Sequence, residues 1–160
     1  MERVKSVLVN QLSLPGDFGS VATPQNVLIV PKAITIRELV SHFYIQIFDR
    51  SGMNGFAAKG GNFDFSWTMG LSIRKGITRD EPYQQIEAYK AISDLSWRVA
   101  RILHLQYSIN TPQQISPEPL VLERVSKPTQ TKGSAVALEL EIQHSYAHRI
   151  FSKWRALNLG

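Results

Sequence analysis

Imidazole changes charge near neutral pH and is the side chain most readily used as a general base or metal ligand. The chain carries four histidines, His42, His104, His144 and His148. His144 and His148 are spaced to share a face only if their segment is helical, yet His144 continues a strand-like alternation that starts at Val136. His104 falls at the end of a helical pattern, where a cationic ring would suit the local dipole. Glu139 and Glu141 point the same way from a strand and could share a proton or hold a hard cation. The more ordinary use of such a pair is a solvated face or a cross-strand contact with a base, and Arg124 on the neighbouring strand is the expected partner. The stretch Gly55-Phe56-Ala57-Ala58-Lys59-Gly60-Gly61-Asn62 has glycines that would free backbone N–H groups for a phosphate. It lacks the Gly-Lys-Ser/Thr ending and runs into a strand, so nucleotide binding is not expected. With no serine-centred nucleophile elbow and no cysteine, thiolate catalysis, disulfides and Cys-type zinc sites are excluded. No catalytic, metal-binding or cofactor-binding residue is expected, and the chain is read as a binding or assembly protein, not an enzyme.

Two features invite a partner. The glycine-rich connection from Arg50 to Asn62 displays Met53 and Phe56, with Lys59 close by, which a solitary loop has little reason to expose. The last residues, 147–160, combine Ile150, Phe151, Trp154 and Leu157 with Arg149, Lys153 and Arg155. On a helix these apolar side chains would share one side, suited to a groove on another subunit, an anionic surface or nucleic-acid phosphates. Met53, Phe56, Lys59, Arg149, Phe151, Lys153 and Trp154 are therefore the candidate interface residues.

The elements that must position these groups are written in the hydrophobic periodicity. Phe63, Phe65, Trp67, Met69, Leu71 and Ile73 alternate with smaller or polar residues, the mark of a strand with one buried face. A β-branched and aromatic run from about Leu39 to Phe48 precedes the glycine loop, so the two strands are expected to form a long hairpin. Asp80-Glu81-Pro82 supplies a cap, an acid and an N1 proline, and opens an amphipathic helix. Ile86, Tyr89, Ile92, Leu95, Val99, Ile102 and Leu103 make its apolar stripe. Leu120 to Val125 and Ser134 to Tyr146 read as strands, Asn26 to Val30 as a short β-branched run, and Val4, Val7, Leu8 and Leu12 as a short helix. The expected fold is α+β, a mainly antiparallel sheet with a long hairpin packed against one long amphipathic helix. Residues 1–146 form its single domain and 147–160 a basic aromatic tail.

The chain has 160 residues, a size that fits one core. A formal net charge of +5 favours anionic partners, and Arg74, Lys75 and Arg79 together with the C-terminal bases could supply a nucleic-acid face. A small basic nucleic-acid-binding domain is therefore the alternative function. The absence of any long apolar run leads us to expect no membrane contact, and a secretory signal is not recognisable at Met1 to Lys5.

The order of helix, strand, long strand, glycine loop, alternating strand, capped helix, short strand and alternating strand, over about Val27 to Tyr146, resembles the tail terminator proteins of long-tailed bacteriophages. The stretches that prompt the comparison are Phe63 to Arg74 leading to the helix from Asp80 to Leu105, then Leu120 to Val125 and Ser134 to Tyr146. The resemblance implies a structural virion protein without catalysis or cofactor. It would form a homo-oligomeric ring, a hexamer in that family, that caps the tail tube and joins it to the neck or connector proteins. Nucleic acid would pass the lumen, and the protein, made in the host cytoplasm, would reside in the virion tail. A related tube or neck subunit fits the same pattern.

Overall fold

The structure is a computed structural model, and it describes residues 1–12, 23–36, 43–50, 57–59, 62–78, 82–104, 120–131 and 137–153. In chain order these form α1 (Glu2–Leu12), β1 (Val27–Ile29), β2 (Phe43–Asp49), β3 (Ala57–Lys59), β4 (Asn62–Thr78), α2 (Pro82–Leu103), β5 (Leu120–Val125), β6 (Thr129–Thr131) and β7 (Ala137–Lys153). The strands make one seven-stranded sheet in the order β1-β2-β4-β7-β5, with β3 on β4 and β6 on β7.

The expected antiparallel sheet under one helix is corrected in two respects. The sheet is mixed, because β1 runs parallel to β2, with Val27 opposite Ile45 and Ile29 opposite Ile47. The connection between them is just long enough for the crossover that a parallel pair needs, whereas a tight turn would have forced an antiparallel one. Two helices, not one, are packed into the core among the described residues. From α1, Val4, Leu8 and Leu12 are buried at the helical spacing visible in the sequence, and they join α2 residues Ile92, Leu95, Val99 and Leu103.

Alternation assigns the sheet faces. Ile45 and Ile47 of β2, Met69, Leu71 and Ile73 of β4, and Leu140 and Ile142 of β7 all face the helices and are buried. The cross-strand pairs place Ile45 beside Ile73 and Ile73 beside Ile142, so three strands present one continuous apolar surface. The opposite face carries Tyr44, Gln46 and Phe48, then Gly70, Ser72 and Arg74, then Glu139, Glu141 and Ser145, and these are buried as well. Gly70 is required by its neighbour, since a Cβ there would collide with the Phe48 ring lying across the strand.

Two further readings change. The stripe expected along α2 turns away from the core in its first half, where Ile86 and Tyr89 are exposed and Ala88 is buried in their stead. The boundary expected after Tyr146 is not an element end, because β7 continues to Lys153 in register with β4. Residues 147–153 are therefore strand and not the helix that their apolar spacing could have made. Cross-strand hydrogen bonds to β4 satisfy their backbone and override a local preference in so short a segment.

Candidate functional site

Three places in the fold gather chemistry-bearing residues. The first is the second face of the sheet. Arg74 has Glu141 as its Cα partner across the β4–β7 ladder, and its guanidinium spans both acids. Nη1 donates to Glu139 Oε2 at 3.0 Å and Nη2 to Glu141 Oε2 at 2.8 Å. Nε donates to Ser72 Oγ at 3.0 Å, and Ser72 in turn donates to Glu141 Oε2 at 2.5 Å. Thr35 Oγ1 accepts from Arg74 at 3.1 Å and donates to Glu139 Oε2 at 3.1 Å. The Tyr44 hydroxyl donates to Glu139 Oε1, Thr131 reaches Glu139 at 3.3 Å, and Gln143 reaches Glu141 at 3.3 Å.

Every carboxylate oxygen in this cluster has a donor, which is how buried acids avoid the cost of lost hydration. Burial, reinforced by the hydrogen bond to Glu139, pushes the Tyr44 phenol well above its ordinary range, so it remains a donor. For Arg74, burial would weaken the charged form, but the Glu141 charge and the hydrogen bond to Glu139 outweigh it. The arrangement can clamp a segment. The segment Pro31 to Ile36 is tied to this face by hydrogen bonds: Ile34 N–H to Gln46 Oε1 at 3.0 Å, Ile36 N–H to the Tyr44 oxygen at 3.3 Å, and Thr35 as above. Gln46 Nε2 is buried without a hydrogen-bond partner among the described residues.

The expected partner of these acids, Arg124, is exposed on β5 and has Ser145 as its Cα partner. β5 stops opposite His144, short of Glu141, so no β5 side chain lies beside the acids. The solvated outer face expected for Glu139 and Glu141 is likewise absent, with Glu139 fully buried. Arg74, Tyr44 and Ser72 were missed as a group. Their signal was an Arg two residues from a Ser on one strand and Glu-x-Glu on another, which only the register unites.

The second cluster lies on the helix side. His144 sits between two hydroxyls, with Ser96 Oγ 2.7 Å from Nε2 and the Tyr146 oxygen 2.8 Å from Nδ1. Burial pushes the imidazole down to about 4 and the Tyr146 phenol well up. A neutral ring donates from one nitrogen and accepts at the other, so both hydroxyls are satisfied, and all three residues are buried. This is a polar tie inside the core. His104 has a different task, since its Nδ1 accepts the Leu122 N–H at 3.1 Å and so caps a donor of the sheet's last strand. Among the described residues no group of three acids or histidines is placed to hold a metal.

The third place is the far end of the β4–β7 ladder. Met53, Phe56 and Trp154 lie outside the described residues. Lys59 ends β3 with Asn62 as its Cα partner, and Lys153 ends β7 with that same Asn62 on the other side. Arg149 and Phe151 are in β7 opposite Ser66 and Asp64. Thus the two regions named separately in the sequence converge on one strand end. β2 follows β4 only over Met69 to Lys75, and β5 follows β7 only over His144 to His148. Beyond both limits Asn62 to Ser66 pair with Arg149 to Lys153, and β3 flanks Asn62 to Asp64. At the usual rise per residue this arm is about 15 Å long. Along Arg149 to Lys153 the outer edge of β7 has no strand partner among the described residues.

Comparison of the chain with protein-family models and with curated proteins finds no match. No described helix is long and apolar enough to cross a membrane.

Proposed function

We propose that the chain is a structural protein of a phage tail. In this reading it is a terminator or neck component that forms a ring, caps the tail tube and joins it to the head connector. The observation that carries the reading is the arm. A two-stranded ladder that outruns β2 and β5, with no strand along the Arg149 to Lys153 edge among the described residues, would offer backbone groups that another copy can pair with. The element order supports the reading too, since α1, β1, β2, β4, α2, β5 and β7 follow one another as in the resemblance, with β3 and β6 as short additions. The nucleic-acid alternative loses support. Arg74 and Lys75, expected on one basic face, point to opposite faces of β4, and Arg74 is neutralised in the buried network.

The test is light scattering coupled to size exclusion, at low and high salt, on the full chain and on a chain ending at Ala147, which removes the β7 half of the arm. The full chain should give a discrete species near six times the 18.0 kDa protomer, visible as rings by electron microscopy, and the shortened chain should stay monomeric while keeping its helical circular-dichroism signal and a cooperative thermal transition. A monomer at every salt concentration that also fails to bind preassembled tail tubes would overturn the reading.

A further inference from the structure

β5 is the last strand of the sheet, and its edge away from β7 has no strand partner among the described residues. An edge of this kind invites pairing with other chains and is ordinarily guarded. Two fixed guards stand here. Glu123 is an extra residue where the β5–β7 register shifts between Leu122 and Arg124, and Glu123 and Arg124 set exposed charges at the break. The third guard comes from another element: the Leu122 N–H donates to His104 Nδ1 at 3.1 Å, where α2 has just ended.

This bond carries its own dependence on protonation. Nδ1 accepts only in the neutral ring with its proton on Nε2, whereas a protonated imidazole is a donor at both nitrogens and offers an N–H nothing. Imidazole is the side chain that ordinarily makes this change between about pH 5 and 8. His104 is exposed, so a proton reaches it without unfolding. The charged ring also has another place to go. It stands at the C-terminus of α2, where the helix dipole favours a cation, so the proton that ends the bond to β5 draws the imidazole toward the helix end. Arg101, one turn earlier in α2, opposes a charged ring, while from β5 Glu123 favours it and Arg124 opposes it. β7 places Tyr146, His144 and His148 as the Cα partners of Leu122, Val125 and Leu120. Burial keeps the Tyr146 phenol protonated and the His144 ring neutral down to about 4.

We infer that His104 is a proton-operated latch on β5. Neutral, it caps the Leu122 N–H and ties β5 to the end of α2; protonated, it releases that donor and leaves the strand edge beside Glu123 open. The latch differs from the buried imidazole of His144, which is enclosed between Ser96 and Tyr146 and acts on the whole fold. It works within one protomer and does not depend on ring assembly by the arm.

Hydrogen–deuterium exchange of the full chain, read by mass spectrometry with fragmentation that isolates the Leu122 amide, tests the latch at about pH 8 and about pH 5.5. Rates are compared as protection factors, which remove the intrinsic effect of pH on amide exchange. In the wild type, protection of Leu122 should fall about fivefold on acidification, the worth of one ordinary hydrogen bond, while Leu71 and Ile73 in the core stay protected. His104→Gln keeps a side-chain acceptor that does not titrate, and its Leu122 protection should be equal at the two pH values. His104→Ala should give low protection at both, and His148→Gln should keep the wild-type response. Protection that is flat with pH in the wild type, or that falls equally in His104→Gln, would overturn the latch. So would a response lost in His148→Gln, or one shared by Leu71 and Ile73, which would make it acid unfolding of the whole domain.

Discussion

The two faces of the sheet are both buried, yet they are held by different physics. On the helix side, Ile45, Ile73 and Ile142 meet side by side in the core shared with the two helices, and apolar contact of this kind is forgiving of small changes in shape. On the other side, Tyr44, Arg74 and Glu141 occupy equivalent positions one residue along the same three strands. There stability depends on every donor finding its acceptor. A tolerant face and an exacting one are thus woven from the same strands by alternation alone.

The sharpest way to break this contrast is Arg74→Ala. Removing the cation leaves Glu139 and Glu141 buried against each other, and denaturant unfolding should lose about 3–5 kcal/mol. Replacing Arg74, Glu139 and Glu141 together by apolar residues should recover much of that loss, because the buried charges go with the guanidinium. A single truncation that cost less than 1 kcal/mol would mean the network contributes nothing to folding.

The next test concerns the polar tie inside the apolar face. His144 stays neutral in the fold, held down to about 4 by burial, while in the unfolded chain it protonates near 6.5. Below that value the unfolded state binds the extra proton. Stability is therefore complete above about pH 6.5 and falls as the pH drops toward 4, by about 3 kcal/mol at most. His144→Gln should flatten the pH dependence of the melting temperature over that window. A variant with the wild-type slope would show that other groups set it.

Gly70→Ala probes the exacting face where it is not charged. The added methyl must displace the Phe48 ring, and a loss of about 1–3 kcal/mol is expected from thermal unfolding, relieved by the second change Phe48→Leu. The smallest effect belongs to Thr35→Val, which keeps the shape but removes one acceptor from Arg74 and one donor to Glu139. About 1 kcal/mol should be lost, with faster amide exchange at Ile34 and Ile36, the N–H groups that fasten the strap.

Much of the scaffold was legible because periodicity is local. Phe63 to Ile73 alternated and are strand; Ile92, Leu95 and Val99 recurred at helical spacing and are buried in α2. The short strands were harder. Ala57 to Lys59 lay among glycines and Thr129 to Thr131 in a polar turn, and each is a strand only because β4 or β7 offers it a ladder. Ile86 and Tyr89 matched the stripe by spacing, yet sequence cannot say where the sheet beneath a helix ends. As for the candidate sites, Lys59 and Lys153 were singled out from separate regions, and their meeting at Asn62 appears only in the fold.

The sequence by itself determined the local repeats, the helix start at Pro82, the absence of thiol chemistry and which residues of the long strands share a face, whereas the wet second face it led us to expect is buried. These depend on neighbours a few residues away. Tertiary structure alone decided that β1 runs parallel to β2, that Arg74 and not Arg124 neutralises Glu139 and Glu141, and that Ala147 to Lys153 extend a strand. Pairing direction, register and the covering of a face are relations between distant segments. A one-residue shift in register would have placed Arg74 opposite a different neighbour without altering any pattern in the sequence.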